Sequence, residues 1–159
     1  MVRRLTERKK MAFHSYRKGS RAEHELMDKL QGAGFVVIRA AGSGSGSPCP
    51  DILAFRRIDQ YGFECKAVDS TSLQMRKEQV EHLRAWEEKT SITTYVAWRQ
   101  RGGEWYFIRL QFLHQNPKSY AISAGEAARA SLSLERILGR YESPPDGGRA
   151  EGNPPAPSA

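Results

Sequence analysis

The sequence predicts an α/β domain in which helices flank a central mixed β-sheet. Three observations carry that reading. Apolar residues recur at helical spacing in three segments. Five short runs rich in β-branched and aromatic residues lie among them. Their order along the chain, αβββαββα, is the alternation expected of a sheet covered by helices, not of an all-helical or all-β chain. A length of 159 residues with 39% hydrophobic and 27% charged side chains suits one globular domain with an ordinary core.

The first helix is announced by Ser20-Arg21-Ala22-Glu23, which has the form of a capping box. Ala22, Leu26, Met27 and Leu30 then make an apolar stripe, and Gly32 and Gly34 supply the stop. Phe35 to Arg39 reads as a strand. Gly42 to Pro50, an alternation of glycine and serine ending in Pro-Cys-Pro, reads as a loop. Asp51–Arg57 and Tyr61–Val68 read as a hairpin turning around Ile58-Asp59-Gln60. A second helix is expected from about Met75 to Lys89, with Met75, Val80, Leu83 and Trp86 inward. Ile92–Arg99 and Glu104–Leu110 are strand-like around the turn Arg101-Gly102-Gly103, and a last helix is expected within Gly125–Tyr141. Trp86, Trp98, Trp105 and Tyr106 read as core side chains before they read as stacking platforms.

The net charge of +7 points to a polyanionic partner, but it is unevenly spread. Residues 1–21 carry eight basic side chains against one acid, whereas residues 22–159 carry seventeen of each sign. Residues 1–15 are expected to be a mobile basic extension, or an over-long start with Met11 as initiator; residues 16–141 form the domain. Residues 142–159, which hold five of the eight prolines, are expected to be a disordered tail. No apolar run approaches the roughly 20 residues of a bilayer span, and no apolar segment follows the first basic residues, so a membrane protein and a secretory leader are both disfavoured. The expected compartment is the cytoplasm, with the chain on the nucleoid through DNA. Cys49 and Cys65 are expected to be reduced, and no Cys/His spacing suggests zinc.

The chemistry concentrates in the predicted hairpin. Pro50-Asp51 is followed 13 positions on by Glu64-Cys65-Lys66. On a strand, Glu64 and Lys66 share one face while Cys65 takes the other, toward the core. A hairpin also brings Asp51 within a few residues of Glu64, although the register stays open. Two neighbouring carboxylates repel unless a cation lies between them, and a small set of oxygen ligands suits Mg²⁺. Such an ion polarises a phosphodiester and supplies hydroxide, while Lys66 orients water or offsets charge in the transition state. Glu-x-Lys alone is a weak signal, expected about once in two chains of this length. A second copy, Glu87-Glu88-Lys89, falls on a helix where i and i+2 diverge.

With Tyr16 to Glu23, Gly34 to Ala40, the Ser43 loop, Pro50-Asp51-Ile52, Glu64-Cys65-Lys66, Met75 to Gln79 and, more weakly, Ser133-Leu134-Glu135, the sequence resembles the archaeal Holliday junction resolvases of the PD-(D/E)xK nuclease superfamily. The resemblance spans about residues 16–140. It implies a restriction-endonuclease-like core and a structure-selective endonuclease that resolves four-way junctions, leaving 5′-phosphate and 3′-hydroxyl ends. By the same resemblance Glu23, Asp51 and Glu64 bind Mg²⁺, with Mn²⁺ a substitute; Lys66 is the catalytic lysine and Ser43 a mobile-loop serine of the site. Arg17, Lys18, Arg21, Arg39, Arg76, Lys77 and Gln79 are assigned to DNA. The implied partners are branched DNA and a second copy in a homodimer, with no membrane and no small-molecule cofactor. His24 stands where many relatives have arginine, so a phosphate contact there is expected to be either weaker or pH-dependent.

Blander readings stand beside these. Glu23 can serve the capping box alone, Arg39 can be a solvated edge residue, and Ser43, Ser45 and Ser47 can be plain linker. Arg76, Lys77 and Gln79 begin a helix whose outer face is charged in any case. Leu132, Leu134, Ile137 and Leu138 serve either the core or a dimer contact. The rival functions are another nuclease of the superfamily, acting on forked, single-stranded or restriction-type substrates, and a silent DNA-binding module.

Overall fold

The computed structural model describes residues 19–40, 49–100 and 102–139. The expected extension and tail, together with Arg17, Lys18 and Ser43, lie outside the described residues.

The first helix, α1, covers residues 19–32 and buries Ala22, Leu26 and Leu30 at the predicted spacing. Gly34, at φ 82°, takes the left-handed conformation that ends it, and the Phe35 N–H returns to the Leu30 carbonyl at 3.1 Å. The capping box is not formed, because Ser20 lies inside the helix. Its carbonyl accepts from His24 Nδ1 at 2.6 Å, and Glu23 turns instead to Arg39. A charge-assisted pair with a guanidinium outweighs a single bond to a helix-end amide.

The strands β1 (Val36–Arg39), β2 (Ile52–Arg56) and β3 (Asp59–Ala67) follow as expected. Arg56 pairs with Asp59, so the hairpin turns at Arg57-Ile58, one residue earlier than predicted. Arg57 carries the positive φ, 54°, that a two-residue hairpin loop demands. The chain then forms β4 (Ser72–Arg76), α2 (Lys77–Thr90), β5 (Thr93–Arg99), β6 (Trp105–Arg109), a 3₁₀ turn at Leu110–Phe112, β7 (His114–Gln115), β8 (Ser119–Ser123), α3 (Ala124–Ala130) and α4 (Leu134–Leu138).

Five strands form a sheet in the order β1-β2-β3-β5-β6, antiparallel except for the parallel β3–β5 pair, so the mixed sheet is as predicted. The period of two divides its side chains between two cores. Phe63 and Cys65 of β3, Tyr95 and Ala97 of β5 and Phe107 of β6 pack under Leu26 and Leu30 of α1, with Ile137 and Leu138 of α4. Val96 and Trp98 of β5 and Ile108 of β6 pack on the opposite side with Val80 and Leu83 of α2. Trp98 has no exposed surface, and its indole N–H donates to the Val68 carbonyl at 2.9 Å; the tryptophan is core, as read. Full burial of a side chain of this size contributes roughly 3 kcal/mol.

Two boundaries are corrected. Met75 belongs to β4, not to the second helix, because Ser72–Arg76 alternates buried and exposed positions and sends Leu73 and Met75 into the α2-side core. The last helix is two helices. Ser131 and Ser133 interrupt it: Ser131 Oγ accepts the Phe107 N–H at 2.8 Å, and Ser133 caps α4 by accepting from the Arg136 N–H at 3.2 Å. A second sheet, β4-β8-β7, was not foreseen. Ile137 and Leu138 are buried in the α1-side core, and Leu132 and Leu134 are partly buried against it.

Candidate active site

The hairpin register answers what spacing left open. Ile52 pairs with Phe63, which sets Asp51 across from Glu64 at the next position, where β2 begins. Both carboxylates are buried, Asp51 at 8% and Glu64 at 4% exposure. Asp51 Oδ2 accepts the Cys65 backbone N–H at 2.9 Å, and its own carbonyl accepts the Ala40 N–H at 2.9 Å, so main chain from both neighbouring strands fixes this residue.

Gly62 completes the support. A Cβ there would meet Pro50 Cγ at 2.8 Å and Thr94 Oγ1 at 2.9 Å. The absence of a side chain at the middle of β3 is what lets Pro50, the residue before Asp51, lie against the sheet. Sequence reasoning passed over Gly62; a glycine within an otherwise β-rich run was the available signal.

On Glu64, Oε1 receives Lys66 Nζ at 2.5 Å and Gln79 Nε2 at 2.6 Å. Burial pushes the Glu64 carboxyl up to about 7; Lys66 opposes the rise, while the charge of Asp51 and a hydrogen bond shared with it add to it. The site is therefore a pair of confronted carboxyl groups with one ammonium attached. Cys65 faces away into the α1-side core, and burial, followed by the charges of Asp51, Glu23 and Glu64, raises its thiol well above the ordinary range. Cys65 is a packing residue, as expected, and not a nucleophile.

Glu23 stands at the same end of the sheet, on α1, but its carboxylate is taken by Arg39, with Nε and Nη2 each 2.7 Å from Oε2. Among the described residues, no three His, Cys, Asp or Glu side chains are gathered as a ready metal cluster. Asp51 and Glu64 meet; Glu23 stays with Arg39.

Of the residues assigned to DNA, Arg21, Arg39 and Arg76 are exposed, and Lys77 forms a loose pair with Glu81 at 3.8 Å. Gln79 lies apart from them and touches Glu64. His24 is exposed on α1 beside Glu23. A residue not singled out from sequence, Glu25, accepts from Arg99 Nε at 2.7 Å and from the Trp105 indole N–H at 3.0 Å, tying α1 to the ends of β5 and β6. No described helix is long and apolar enough to cross a membrane.

The family profile described as archaeal Holliday junction resolvase (hjc) matches residues 14–144. The chain is 36% identical over 127 residues to the crossover junction endodeoxyribonuclease Hjc of Methanocaldococcus jannaschii, covering 80% of this chain and 91% of that one. It is 35% identical over 125 residues to the protein of the same name from Archaeoglobus fulgidus, covering 78% and 91%. Among solved structures, that of Archaeoglobus fulgidus Hjc, described as a Holliday junction resolvase from an archaeal hyperthermophile, superposes with a TM-score of 0.69 at 29% identity. The match covers 78% of this chain and 98% of that one. The restriction-endonuclease-like core expected from sequence is the fold of this chain.

Proposed function

Because the chain belongs to the archaeal Holliday junction resolvase family, it is an endonuclease of four-way DNA junctions, and we propose that it cuts them by cation-assisted hydrolysis at Asp51, Glu64 and Lys66. The observation that supports this chemistry best is the pair of buried, confronted carboxyl groups with a lysine on one of them. Burial that pushes the Glu64 carboxyl up in this way marks a place where positive charge is wanted.

The donor set fits Mg²⁺. It is made of oxygen atoms, it is small, and it leaves coordination positions for water and phosphate oxygens, as that ion requires; Mn²⁺ suits the same set. Asp51 and Glu64 would hold the ion, and Glu23 would join them as a third carboxylate only on leaving Arg39. When bound, the ion supplies a Lewis acid for the scissile phosphate and an acidified water. The protein's own groups do the rest. Lys66 holds its ammonium beside Glu64, where it orients the attacking water and offsets the negative charge that grows on phosphorus. The water oxygen bonds to phosphorus, the P–O3′ bond breaks, and the 3′ oxygen takes a proton, leaving 5′-phosphate and 3′-hydroxyl ends. Arg21, Arg39, Arg76 and Lys77 offer exposed or half-exposed cations to backbone phosphates, so binding follows the path of the strands and not base sequence.

The proposal includes a homodimer, because a two-fold axis presents two equivalent sites to the two strands of a branched substrate. It also puts the chain in the cytoplasm, at DNA. The test is incubation of purified protein with four-way, forked and linear DNA, in Mg²⁺ and in chelator, with the cuts mapped. Paired nicks in the four-way substrate in Mg²⁺ alone are expected. Cutting that persists in chelator would overturn the cation, and a monomer by light scattering at micromolar concentration would overturn the paired nicks.

A further inference from the structure

Gln79 lies in the first turn of α2, three residues past the end of β4, and its side chain does not follow Arg76 and Lys77 outward. Its Nε2 donates to Glu64 Oε1 at 2.6 Å, the same oxygen that Lys66 Nζ reaches at 2.5 Å. Both donors sit on one carboxylate oxygen and leave Oε2 outside their grip, on a carboxyl group that also interacts with Asp51.

The two donors are not equivalent. Lys66 shares a strand with Glu64 and brings a charge; Gln79 arrives from a different element and brings none. The last torsion of a glutamate is broad and roughly two-fold, so a carboxylate held by a single flexible ammonium can turn. A second donor on a rigid helix stops that rotation. The helix is rigid here: Val80, the next residue, has no exposed surface, and Val80 and Leu83 anchor α2 in the core that holds Trp98. A neutral amide also adds no positive charge to compete with a cation at the same carboxylate.

We propose that Gln79 is a positioning residue for the metal site, holding the Glu64 carboxylate so that Oε2 is presented to the cation, and that it is not a DNA contact. This rests on the cation-assisted reading above. It also separates Gln79 from Arg76 and Lys77, with which sequence had grouped it.

The test uses the full chain with Gln79→Met, which keeps length and helix propensity but removes the donor, and Gln79→Ala as a second variant. Urea midpoints serve as the check on folding. Mn²⁺ alone is titrated into each protein, and the free ion is followed by electron paramagnetic resonance; four-way junction binding is measured separately in chelator. The expected result is Mn²⁺ affinity lowered about tenfold or more in both variants, junction affinity in chelator within twofold of the parent, and a cleavage defect that shrinks as Mg²⁺ is raised. Unchanged Mn²⁺ affinity would overturn the proposal, and a loss of junction affinity in chelator alongside it would return Gln79 to the DNA surface. A parent protein that binds no Mn²⁺ would overturn the underlying cation reading and the proposal with it, a result seen before any variant is made.

Discussion

Arg39 meets Glu23 with two nitrogens on one oxygen, Nε and Nη2 each 2.7 Å from Oε2, joining the end of β1 to the first turns of α1. The pair couples a residue assigned to DNA with one assigned to metal. A phosphate arriving at Arg39 competes directly with Glu23 for the guanidinium.

Glu23→Gln separates the two roles. Cleavage in Mg²⁺ is expected to fall about 100-fold, while junction affinity in chelator holds or rises a few-fold as Arg39 loses its carboxylate partner. Single-turnover cleavage and gel-shift titrations measure both. Cleavage at the parental rate would make Glu23 a structural partner of Arg39 and nothing more.

Asp51→Asn keeps an oxygen able to accept the Cys65 N–H, so the strand ends should stay in place. Cleavage is expected to vanish with junction binding within a few-fold. A substantial loss of binding would show that the aspartate is structural.

Glu64 sets a pH dependence whose sign follows from its raised pKa. The unfolded carboxyl titrates near 4.5 and the folded one near 7, so the folded chain keeps this proton over a range where the unfolded chain has released it. The contribution to stability is present in full below about 4.5 and lost as pH rises to about 7, a decline of up to roughly 3 kcal/mol. Urea unfolding in chelator at several pH values should show this decline, and Glu64→Gln should flatten it. In cleavage the proton and the cation compete for the same group, so raising Mg²⁺ should move the half-maximal rate to lower pH. A profile indifferent to Mg²⁺ would contradict that competition.

Gly62→Ala forces a methyl group to within 3 Å of Pro50 and Thr94. A loss of about 1–3 kcal/mol is expected from overpacking, with cleavage reduced more than junction binding, because Pro50 leads directly into Asp51. Equal loss of both would mean that the strain spreads through the sheet without focusing on the site.

Deletion of residues 1–15 should weaken junction binding and lower its salt dependence, by about 0.9 in the log–log slope for each phosphate contact removed. A slope unchanged by the deletion would show that this segment does not touch DNA.

The parts of this fold that sequence revealed are those governed by local periodicity. The β2–β3 hairpin was readable because two runs rich in apolar and aromatic residues flank a short polar turn, and Glu64 and Lys66 share a face on any strand. The register was not readable, because it depends on whether the turn takes Arg57-Ile58 or the residues just after, and nothing local decides that. β4 escaped because Met75 satisfies a helical stripe as well as a strand's inward position, and no glycine or proline separates it from α2. The break between α3 and α4 escaped for a similar reason: Ser131 and Ser133 are tolerated within helices, and what makes the chain extended there is its pairing with β6 through Leu132 and Phe107. The Glu23–Arg39 pair and the Gln79–Glu64 contact join positions 16 and 15 apart on different elements, beyond the reach of any spacing rule.

The bond from the Cys65 N–H to Asp51 means that the aspartate is held by main chain, while the side chain at position 65 points into the core. Mutational tolerance at that position should therefore obey only the rules of packing: any apolar residue that fits beside Phe63 and Leu26 leaves the aspartate where it is. Proline is the exception, since it alone removes the donor. A scan of position 65 would then find activity tracking side-chain volume, with one abrupt failure unrelated to size.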